Sequence, residues 1–455
     1  MSELFDGVLA AGPVRDLVGD TAWLQAMLDF EAALALAQAE VGVIPVEHAR
    51  AIAARCRAEH YSAAEIGARA AGIGNPAGPL VRALTARVGG PAAGHVHLGA
   101  TSQDVVDTAA VLVTRRAVGA LLVDLAACGD LLARLAAEHA ATPQAGRTLL
   151  QQAPPVTFGF TAAGWLSGID AAAARLRALG PRLAVQYGGA VGTLAALGDR
   201  GPAVLAALAR RLDLAEPVLP WHTERGRVGE VAGALAAVCG AVAKTAGDVV
   251  LLAQAEVAEV VERGPDGSGG SSTLPHKRNP VAAVAASAAA AQAPGLVATL
   301  LANAAHEHQR AAGSWHAEWR PLADLLRCAG SAARWLRTSL ERLRVDPDRM
   351  RANLDLTGGL LSAERVTAAL VDSGVGRLDA HDAVTACCHR FAGPGAPGEG
   401  SSDGGASLVD VLAGDPLVGA HLDRAHLARL LDPATGTGNA ELFVARALTS
   451  READR

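Results

Sequence analysis

The amino-acid sequence predicts an all-α protein whose core is a bundle of long helices. Three observations support this fold class. Hydrophobic residues make up 51% of the 455 residues and aromatic residues only 3%, so small apolar side chains fill the core, and alanine favours helices over strands. In the middle of the chain, apolar residues recur at alternating steps of three and four positions, which places them on one helical face. Strand patterns do not alternate with helical patterns anywhere along the sequence.

Three helical domains are expected, because 455 residues exceed what one core usually supports. Residues 1–104 contain several short helical patterns that glycine and proline interrupt, which predicts an N-terminal helical domain. Residues 105–345 contain long helical patterns with few breaks and predict a central long-helix bundle, within which 263–280 forms a polar loop. Residues 346–455 return to shorter patterns and predict a C-terminal helical domain.

The longest helices are predicted in the central domain. The pattern over 105–141 is uninterrupted and stops at Thr142 and Pro143, as expected before a proline. The pattern over 231–262 has the three–four spacing and no proline, and at 1.5 Å per residue it would span roughly 48 Å. Helices that are apolar on more than one face need a partner outside their own subunit. We therefore expect a homo-oligomer built on a central helix bundle.

Charge, cysteine content and the N-terminal sequence argue against a nucleic-acid-binding, a disulfide-rich, an exported or a membrane protein. The net charge of −6 argues against a nucleic-acid partner, which would require a basic face. Six cysteines without a C-x-x-C pair indicate reduced thiols rather than a disulfide framework. The N-terminus has no export signal, and charged residues such as Lys244 and Asp248 argue against a membrane span in the most apolar segment. A cytoplasmic protein without a membrane partner is expected.

Four polar segments interrupt the apolar sequence: HVHLGATSQDVVD (95–107), GRTLLQQAPPVTFG (146–159), GGSSTLPHKRNP (269–280) and HEHQRAAGSWHAEWRPL (306–322). Each has a purely structural explanation. The first can cap the long helix that follows it, and the third can be a solvated turn between glycine and proline. Capping does not account for a histidine beside the cap, however. The paired histidines of the fourth segment lack a second ligand cluster, so no metal is expected.

Together these segments resemble the active-site blocks of the fumarase/aspartase superfamily, a group of homotetrameric, mostly helical enzymes. GSSTLPHKRNP is similar to its signature loop, with leucine where methionine is more usual, and HLGATSQDVVDTA and GRTLLQQAPPVTFG are similar to its other two blocks. Within the superfamily, QYGGAVGTLAALG (186–198) and AGSWHAEWRPL (312–322) look most like the bacterial carboxymuconate cycloisomerases of protocatechuate degradation. The resemblance implies a three-domain fold with a tetrameric core, a small polycarboxylate substrate, active sites shared between subunits and no cofactor.

The resemblance also implies roles for individual residues. The shared reaction moves a proton at the carbon next to a carboxylate, through an enolate-like dianion. Ser271 takes the place of the catalytic serine, and Lys277, with backbone N–H groups of the glycine-rich loop, would stabilise its alkoxide. His97 matches a histidine of the first block and is the third predicted catalytic residue. Ten positions match substrate-binding residues: Thr101, Ser102, Arg147, Thr148, Gln152, Ser272, His276, Arg278, Asn279 and Arg320.

One position departs from the superfamily pattern. Many of its lyases read GRTH in the second block, and that histidine protonates a departing amine, whereas this chain has Leu149. A carboxylate, with a reference pKa of roughly 4, leaves without a proton. Leu149 therefore favours a lactonising cycloisomerase over cleavage of the adenylosuccinate or argininosuccinate type. A lyase that expels another weakly basic group, such as nitrite from nitrosuccinate, stays open. So does a non-catalytic scaffold, although the intact signature loop argues against it.

Overall fold

The computed structural model describes residues 3–265, 269–270, 273–274, 276–393 and 406–453. Helices dominate this part of the chain, which confirms the predicted helical class. The α-helices in it are α1 (Glu3–Leu9), α2 (Val14–Leu17), α3 (Asp20–Glu40), α4 (Val46–Ala53), α5 (Ala63–Ala70), α6 (Ala77–Val88), α7 (Ser102–Glu138), α8 (Phe158–Leu179), α9 (Gly201–Leu212), α10 (Gly226–Leu252), α11 (Val281–Ala290), α12 (Ala293–Ala302), α13 (Ser314–Arg342), α14 (Pro347–Asp355), α15 (Ala363–Asp372), α16 (Arg377–Ala392), α17 (Leu408–Ala413), α18 (Pro416–His421), α19 (Arg424–Leu431) and α20 (Ala440–Ala453). The strands are β1 (Pro143–Thr148), β2 (Gln151–Thr157), β3 (Val260–Glu262) and β4 (Leu343–Val345).

Helix α7 is the longest, with 37 residues, and lies within three residues of its predicted bounds. Its first turn is closed by Asp104, whose carboxylate accepts a hydrogen bond from the backbone N–H of Thr101 at 2.9 Å. This is the reaching-back half of a capping box, in which an acidic side chain in the first turn satisfies a free backbone donor. The sequence signal of a helix start at this point is therefore correct, and the residue that supplies the cap is Asp104.

The predicted helix over 231–262 is wrong at its C-terminal end. Helix α10 ends at Leu252, and the chain continues through turns into β3, which pairs antiparallel with β4. Ala258 has a φ of 51°, a left-handed conformation that a helix cannot contain. The buried carboxylate of Glu259 then bonds to three side chains on two other elements, β1 and α14, and these distant contacts hold the chain that follows the helix. Upstream the three–four spacing is confirmed, since Leu235, Val238 and Val242 are fully buried.

The hairpin of β1 and β2 was not expected from the sequence. The two strands pair antiparallel, with Thr148 opposite Gln151 and Arg147 opposite Gln152. Proline, glycine and glutamine are poor strand residues, and the apolar alternation of a half-buried strand is absent here. The hairpin therefore depends on tertiary contacts, of which the main ones are described below.

The described chain divides into two compact units, each made of three stretches. The first comprises Met1–Ala127, Ala171–Lys244 and Val284–Arg337, and the second Cys128–Asp170, Thr245–Ala283 and Thr338–Arg455. In the first unit, α3 packs against α4 and α9, and its Phe30 ring meets Tyr187 edge-on at 6.3 Å. In the second, α15 to α19 enclose a separate core that includes Val366, Leu370, Val384, Leu412 and Leu427. The predicted domain boundaries after residues 104 and 345 stay a prediction.

Two apolar helical stretches, Gly226–Leu252 and Val281–Ala302, are long and apolar enough to cross a membrane by length and composition alone. Less than half of the most apolar part of each is buried within the chain. The carboxylate of Asp248 on α10 accepts a hydrogen bond from Trp165 Nε1 at 2.7 Å, so this charged residue is held by protein. The six cysteines are free thiols, as expected.

Candidate active site

The first polar segment is fixed at the start of α7 by the fully buried side chain of Asp104. Besides the Thr101 N–H, its carboxylate accepts hydrogen bonds from the N–H groups of Gly188 and Gly189, both at 3.0 Å, and from His222 Nε2 at 2.6 Å. Four donors on one carboxylate join the 97–104 segment to the glycine-rich segment that follows Tyr187. The predicted site residues at this helix start are therefore held on a rigid support.

His97 occupies a strained position just before this helix. Its φ is 61°, and a left-handed conformation costs a non-glycine residue about 1–2 kcal/mol. Nδ1 of its ring donates to Oε1 of Glu31 on α3 at 2.6 Å, and Glu31 is buried. Burial alone would lower the pKa of His97, but the charge of Glu31, the hydrogen bond to it and the charge of Asp104 outweigh burial and raise that pKa. The buried carboxylate of Glu31 therefore stabilises the protonated form of His97 relative to the neutral one.

A buried ion-pair cluster lies one turn further along α7. The guanidinium of Arg225 bonds to Asp107 on one side, at 2.8 and 3.2 Å, and to Glu318 of α13 on the other, at 2.5 to 3.2 Å. Trp315 Nε1 donates to Asp107 at 2.9 Å, and the guanidinium lies 5.0 Å from the centre of the Trp221 ring. Because this cluster joins α7, the start of α10 and α13, it holds the first polar segment and the fourth in a fixed geometry.

The fourth polar segment contributes a half-buried arginine to the same unit. Nη2 of Arg310 donates to the carbonyl of Gly189 at 2.5 Å, and burial lowers the pKa of Arg310. Nδ1 of His306 lies 3.3 Å from the carbonyl of His222. The predicted binding residue Arg320 lies on α13 and is exposed. Its binding role stays a prediction.

In the second unit, the hairpin places Arg147 and Gln152 side by side as cross-strand partners. The guanidinium of Arg147 makes a two-point bond to the buried carboxylate of Glu259, at 2.6 and 3.0 Å. Gln144 and Asn353 also donate to that carboxylate, each at 2.8 Å. Gln152 donates to the carbonyl of Asn353 at 3.1 Å. Nη1 and Nη2 of Arg147 thus each donate to Glu259 and hold the hairpin in place. The predicted contact of Arg147 with substrate has to come from the remaining N–H groups of the guanidinium.

The tip of this hairpin is a two-residue turn formed by Leu149 and Leu150. Their φ values of 51° and 65° are those of a type I′ turn, which normally selects asparagine and glycine. Leu149 is 97% exposed and Leu150 is 71% exposed. The chain therefore presents two bulky apolar side chains, in a costly backbone conformation, at the position where the resemblance to the superfamily's lyases leads us to expect a histidine. Thr148, the neighbouring predicted residue, is exposed at the same tip.

The signature loop is closed at its base by Asn279. Both the backbone N–H of Asn279, at 2.8 Å, and its side-chain amide, at 3.1 Å, donate to the carbonyl of Gly269. Gly269 has a φ of 72°, and a Cβ there would lie 2.5 Å from the Asn279 carbonyl oxygen, so glycine is required. His276, Lys277 and Arg278 are exposed along the loop. Ser271 and Ser272 lie outside the described residues, so their predicted roles stay predictions.

The structure thus assembles the predicted residues in three groups: His97, Thr101 and Ser102 before and at the start of α7, Arg147, Thr148 and Gln152 on the hairpin, and His276, Lys277, Arg278 and Asn279 on the loop. Within the described ranges, no group of three or more His, Cys, Asp and Glu side chains is arranged to hold a metal ion. The sequence interpretation missed Glu31 and His222 as partners of this machinery. The signal for Glu31 was available, since a glutamate in the apolar stretch FEAALALAQ is out of place.

Comparison with known proteins identifies related sequences over nearly the whole chain. A family model described as "Lyase" matches residues 10–295, and one described as "Adenylosuccinate lyase C-terminus" matches residues 359–447. A Pseudomonas aeruginosa protein named 3-carboxy-cis,cis-muconate cycloisomerase is 46% identical over 99% of this chain and 97% of its own length. A Streptomyces davaonensis protein named nitrosuccinate lyase is 42% identical over 98% of this chain and 94% of its own length.

Solved structures show the same fold. The crystal structure of the 3-carboxy-cis,cis-muconate lactonizing enzyme from Pseudomonas putida superimposes with a TM-score of 0.91 at 42% identity, over 99% of both chains. That of a fumarate lyase from Mesorhizobium sp. BNC1 gives 0.85 at 36% identity, over 96% of this chain and 97% of that one. The predicted fumarase/aspartase-like fold is therefore confirmed.

Proposed function

This chain belongs to the lyase family of the fumarase/aspartase superfamily, and from that membership we propose that it is a 3-carboxy-cis,cis-muconate cycloisomerase. The likeness to cycloisomerases over the whole chain, in sequence and in structure, carries the proposal. Leu149 at the hairpin tip agrees with this proposal. In lactone formation and its reverse, the group that joins or leaves carbon is a carboxylate, which needs no general acid to protonate it. The chain is thus an enzyme rather than a scaffold.

The reaction adds one carboxylate of the substrate to a carbon of its own double bond. A carboxylate oxygen forms the new C–O bond, and the π electrons of the double bond move onto the neighbouring carbon and its carboxylate, giving an enolate-like dianion. Protonation of that carbon then completes the lactone, so one proton is consumed per turnover. In the reverse direction the same proton is removed and the carboxylate leaves. The enzyme must therefore hold a proton donor at carbon and positive groups at the carboxylate that accepts the charge.

The residues that we propose for these tasks belong to the three groups described above. Ser271 exchanges the proton with carbon, and Lys277 stabilises its alkoxide. The bonds that fix Asn279 to Gly269 support this role, because a closed loop base pre-organises Lys277 nearby. Thr101 and Ser102 suit a substrate carboxylate, since their hydroxyls can donate to it and the N-terminus of α7 adds a favourable dipole, although the Thr101 N–H itself bonds to Asp104. The hairpin supplies Arg147, Thr148 and Gln152 to the remaining carboxylates.

The function is tested by ultraviolet absorbance of the purified protein with 3-carboxy-cis,cis-muconate, without added metal or cofactor. We expect the conjugated-diene band to disappear and a lactone to form, because addition to one double bond ends the conjugation. The second candidate, a nitrosuccinate lyase, is favoured by the relative from Streptomyces davaonensis and is equally compatible with Leu149. An unchanged diene band, together with nitrite and fumarate released from nitrosuccinate, would replace the first proposal by the second.

We further propose that the enzyme is a cytoplasmic homotetramer with active sites shared between subunits. Exposed apolar side chains on α11 and α12, such as Val284 and Leu301, support burial against other subunits rather than against lipid. Six free thiols suit a reducing compartment.

Shared sites predict complementation between two impaired variants. Ser271→Ala and His97→Gln remove residues of different blocks, so a mixed tetramer contains some sites in which both residues are intact. After the two impaired proteins are dissociated and reassembled together, activity at low substrate concentration is expected to exceed that of either variant alone, and size-exclusion chromatography should locate it in the tetramer fraction. Each variant reassembled alone is the control. Activity no greater than that of the separate controls, or activity in a monomer fraction, contradicts shared sites.

A further inference from the structure

Helix α3 carries two buried polar side chains that contact the segment next to the start of α7. Glu31 bonds to the ring of His97, and Gln38, seven residues later on the same face of the helix, donates to the carbonyl of Leu98 at 2.6 Å. Tyr187 stands near this pair, with its hydroxyl 3.5 Å from Gln38 Nε2 and from the Leu98 carbonyl. Two buried polar residues in an otherwise apolar stretch of α3 therefore bond to the same short, strained segment, His97 and Leu98.

The bond between Glu31 and His97 determines which ring nitrogen faces outward. Nδ1 of the ring donates to Glu31, and the opposite nitrogen, Nε2, makes no hydrogen bond to a residue in the described parts of the chain. The His97 side chain is 18% exposed, whereas that of Glu31 is 1% exposed. Oε2 of Glu31 has no hydrogen-bond partner among the described groups either. In the part of the chain that the structure describes, the ring of His97 therefore connects this buried carboxylate to the surface.

We propose that Glu31 is a positioning residue that keeps His97 protonated and directs its Nε2–H at a carboxylate of the substrate beside Thr101 and Ser102. The inference rests on the proposed function for the identity of the substrate. A cationic imidazolium forms a charge-assisted hydrogen bond with a carboxylate, and such bonds are stronger than neutral ones. The strained backbone of His97 is consistent with a side chain that is held in place for a task.

The charged groups around the pair favour the cationic ring. Glu31 on α3 and Asp104 on α7 are both negative, and both raise the pKa of His97 against the opposing effect of burial. Near Glu31, burial raises the pKa of the Cys56 thiol and of the Tyr187 hydroxyl, so both stay neutral. A raised folded-state pKa means that this pair contributes stability below the unfolded pKa of histidine, and that the contribution is lost as pH rises through the folded pKa.

The test is Glu31→Gln, which keeps a polar group of similar size and removes the charge. The pKa of His97 is expected to fall, measured by NMR titration of protein labelled at histidine Cε1, with the resonance assigned from a His97→Gln variant. KM for 3-carboxy-cis,cis-muconate is expected to rise roughly ten- to a hundredfold at pH 8 with a much smaller change in kcat, since a charged hydrogen bond is lost. At lower pH, where the ring of the variant protonates, KM should return toward the wild-type value. Glu40→Gln, on the exposed end of the same helix, is the matched control and should change neither quantity.

Each outcome is decisive. An unchanged pKa of His97 in Glu31→Gln overturns the inference whatever the enzyme's substrate is, because the NMR measurement does not depend on turnover. A lowered pKa with a loss confined to kcat overturns the anchoring role and makes His97 a proton donor. If wild-type protein does not convert the muconate at all, the proposed function fails while the titration still tests the pairing of Glu31 with His97.

Discussion

Replacing Ser271 with alanine is expected to reduce turnover of 3-carboxy-cis,cis-muconate by roughly a hundred- to ten-thousandfold, the usual contribution of a positioned acid–base group. The hydroxyl is the group that we assign to protonate carbon in the lactonising direction, and alanine has no proton to give. Binding should persist, because Thr101, Lys277 and the hairpin residues that meet the carboxylates are unchanged. The measurement is kcat and KM from the diene absorbance, with the loss expected in kcat.

The control for this variant is Ser268→Ala, a serine of the same glycine-rich stretch that lies outside the signature segment GSSTLPHKRNP. It should retain nearly full activity, and both variants should match the wild type in circular dichroism and in elution volume. If Ser271→Ala keeps a tenth of the wild-type rate or more, Ser271 does not transfer the proton, and the assignment of the signature loop has to move to another donor such as His276.

The helical part of the fold was predictable because the apolar residues of each helix recur at a short, regular spacing in the sequence. The spacing that places Leu235, Val238 and Val242 on one buried face of α10 needs no knowledge of the rest of the chain. The end of α10 was not predictable in this way. No proline or glycine marks it, and the chain turns there because Glu259 has partners on β1 and α14 that are 94 to 115 residues away in sequence.

The same distinction between local and distant signals decides which residues of the candidate site could be predicted. Contiguous segments such as the one containing Lys277 and Asn279 were identified because a motif keeps its residues together in sequence. Supporting residues were missed when their partners are distant: Glu31 meets His97 across 66 residues, and His222 meets Asp104 across 118. The leucines of the hairpin tip violate the usual turn chemistry, so no local rule predicts the turn that they form. Violations of this kind are expected at functional positions, where strain is tolerated for a purpose.

Replacing Arg225 with methionine is expected to lower the free energy of unfolding by about 3–5 kcal/mol, the usual effect of removing one partner from a buried ion pair. Arg225 is 4% exposed and lies between Asp107 and Glu318. Without the guanidinium, two carboxylates that are buried away from solvent lose their common counter-charge. The measurement is the midpoint of denaturant unfolding at fixed protein concentration, because the stability of an oligomer depends on concentration.

The matched control is Arg210→Met, which removes an arginine whose side chain is 65% exposed and pairs with Glu40 on the surface. Surface ion pairs contribute about 0–1 kcal/mol, so the midpoint should hardly move. Adding Asp107→Asn and Glu318→Gln to Arg225→Met should recover part of the lost stability, since no uncompensated charge then stays buried. Equal, small shifts for Arg225→Met and Arg210→Met would contradict the view that this cluster is what joins α7 to α13. If the triple variant regains stability but not activity, the two roles of the cluster are separate. The charges would then be dispensable for folding but required to hold the start of α7 in its active geometry.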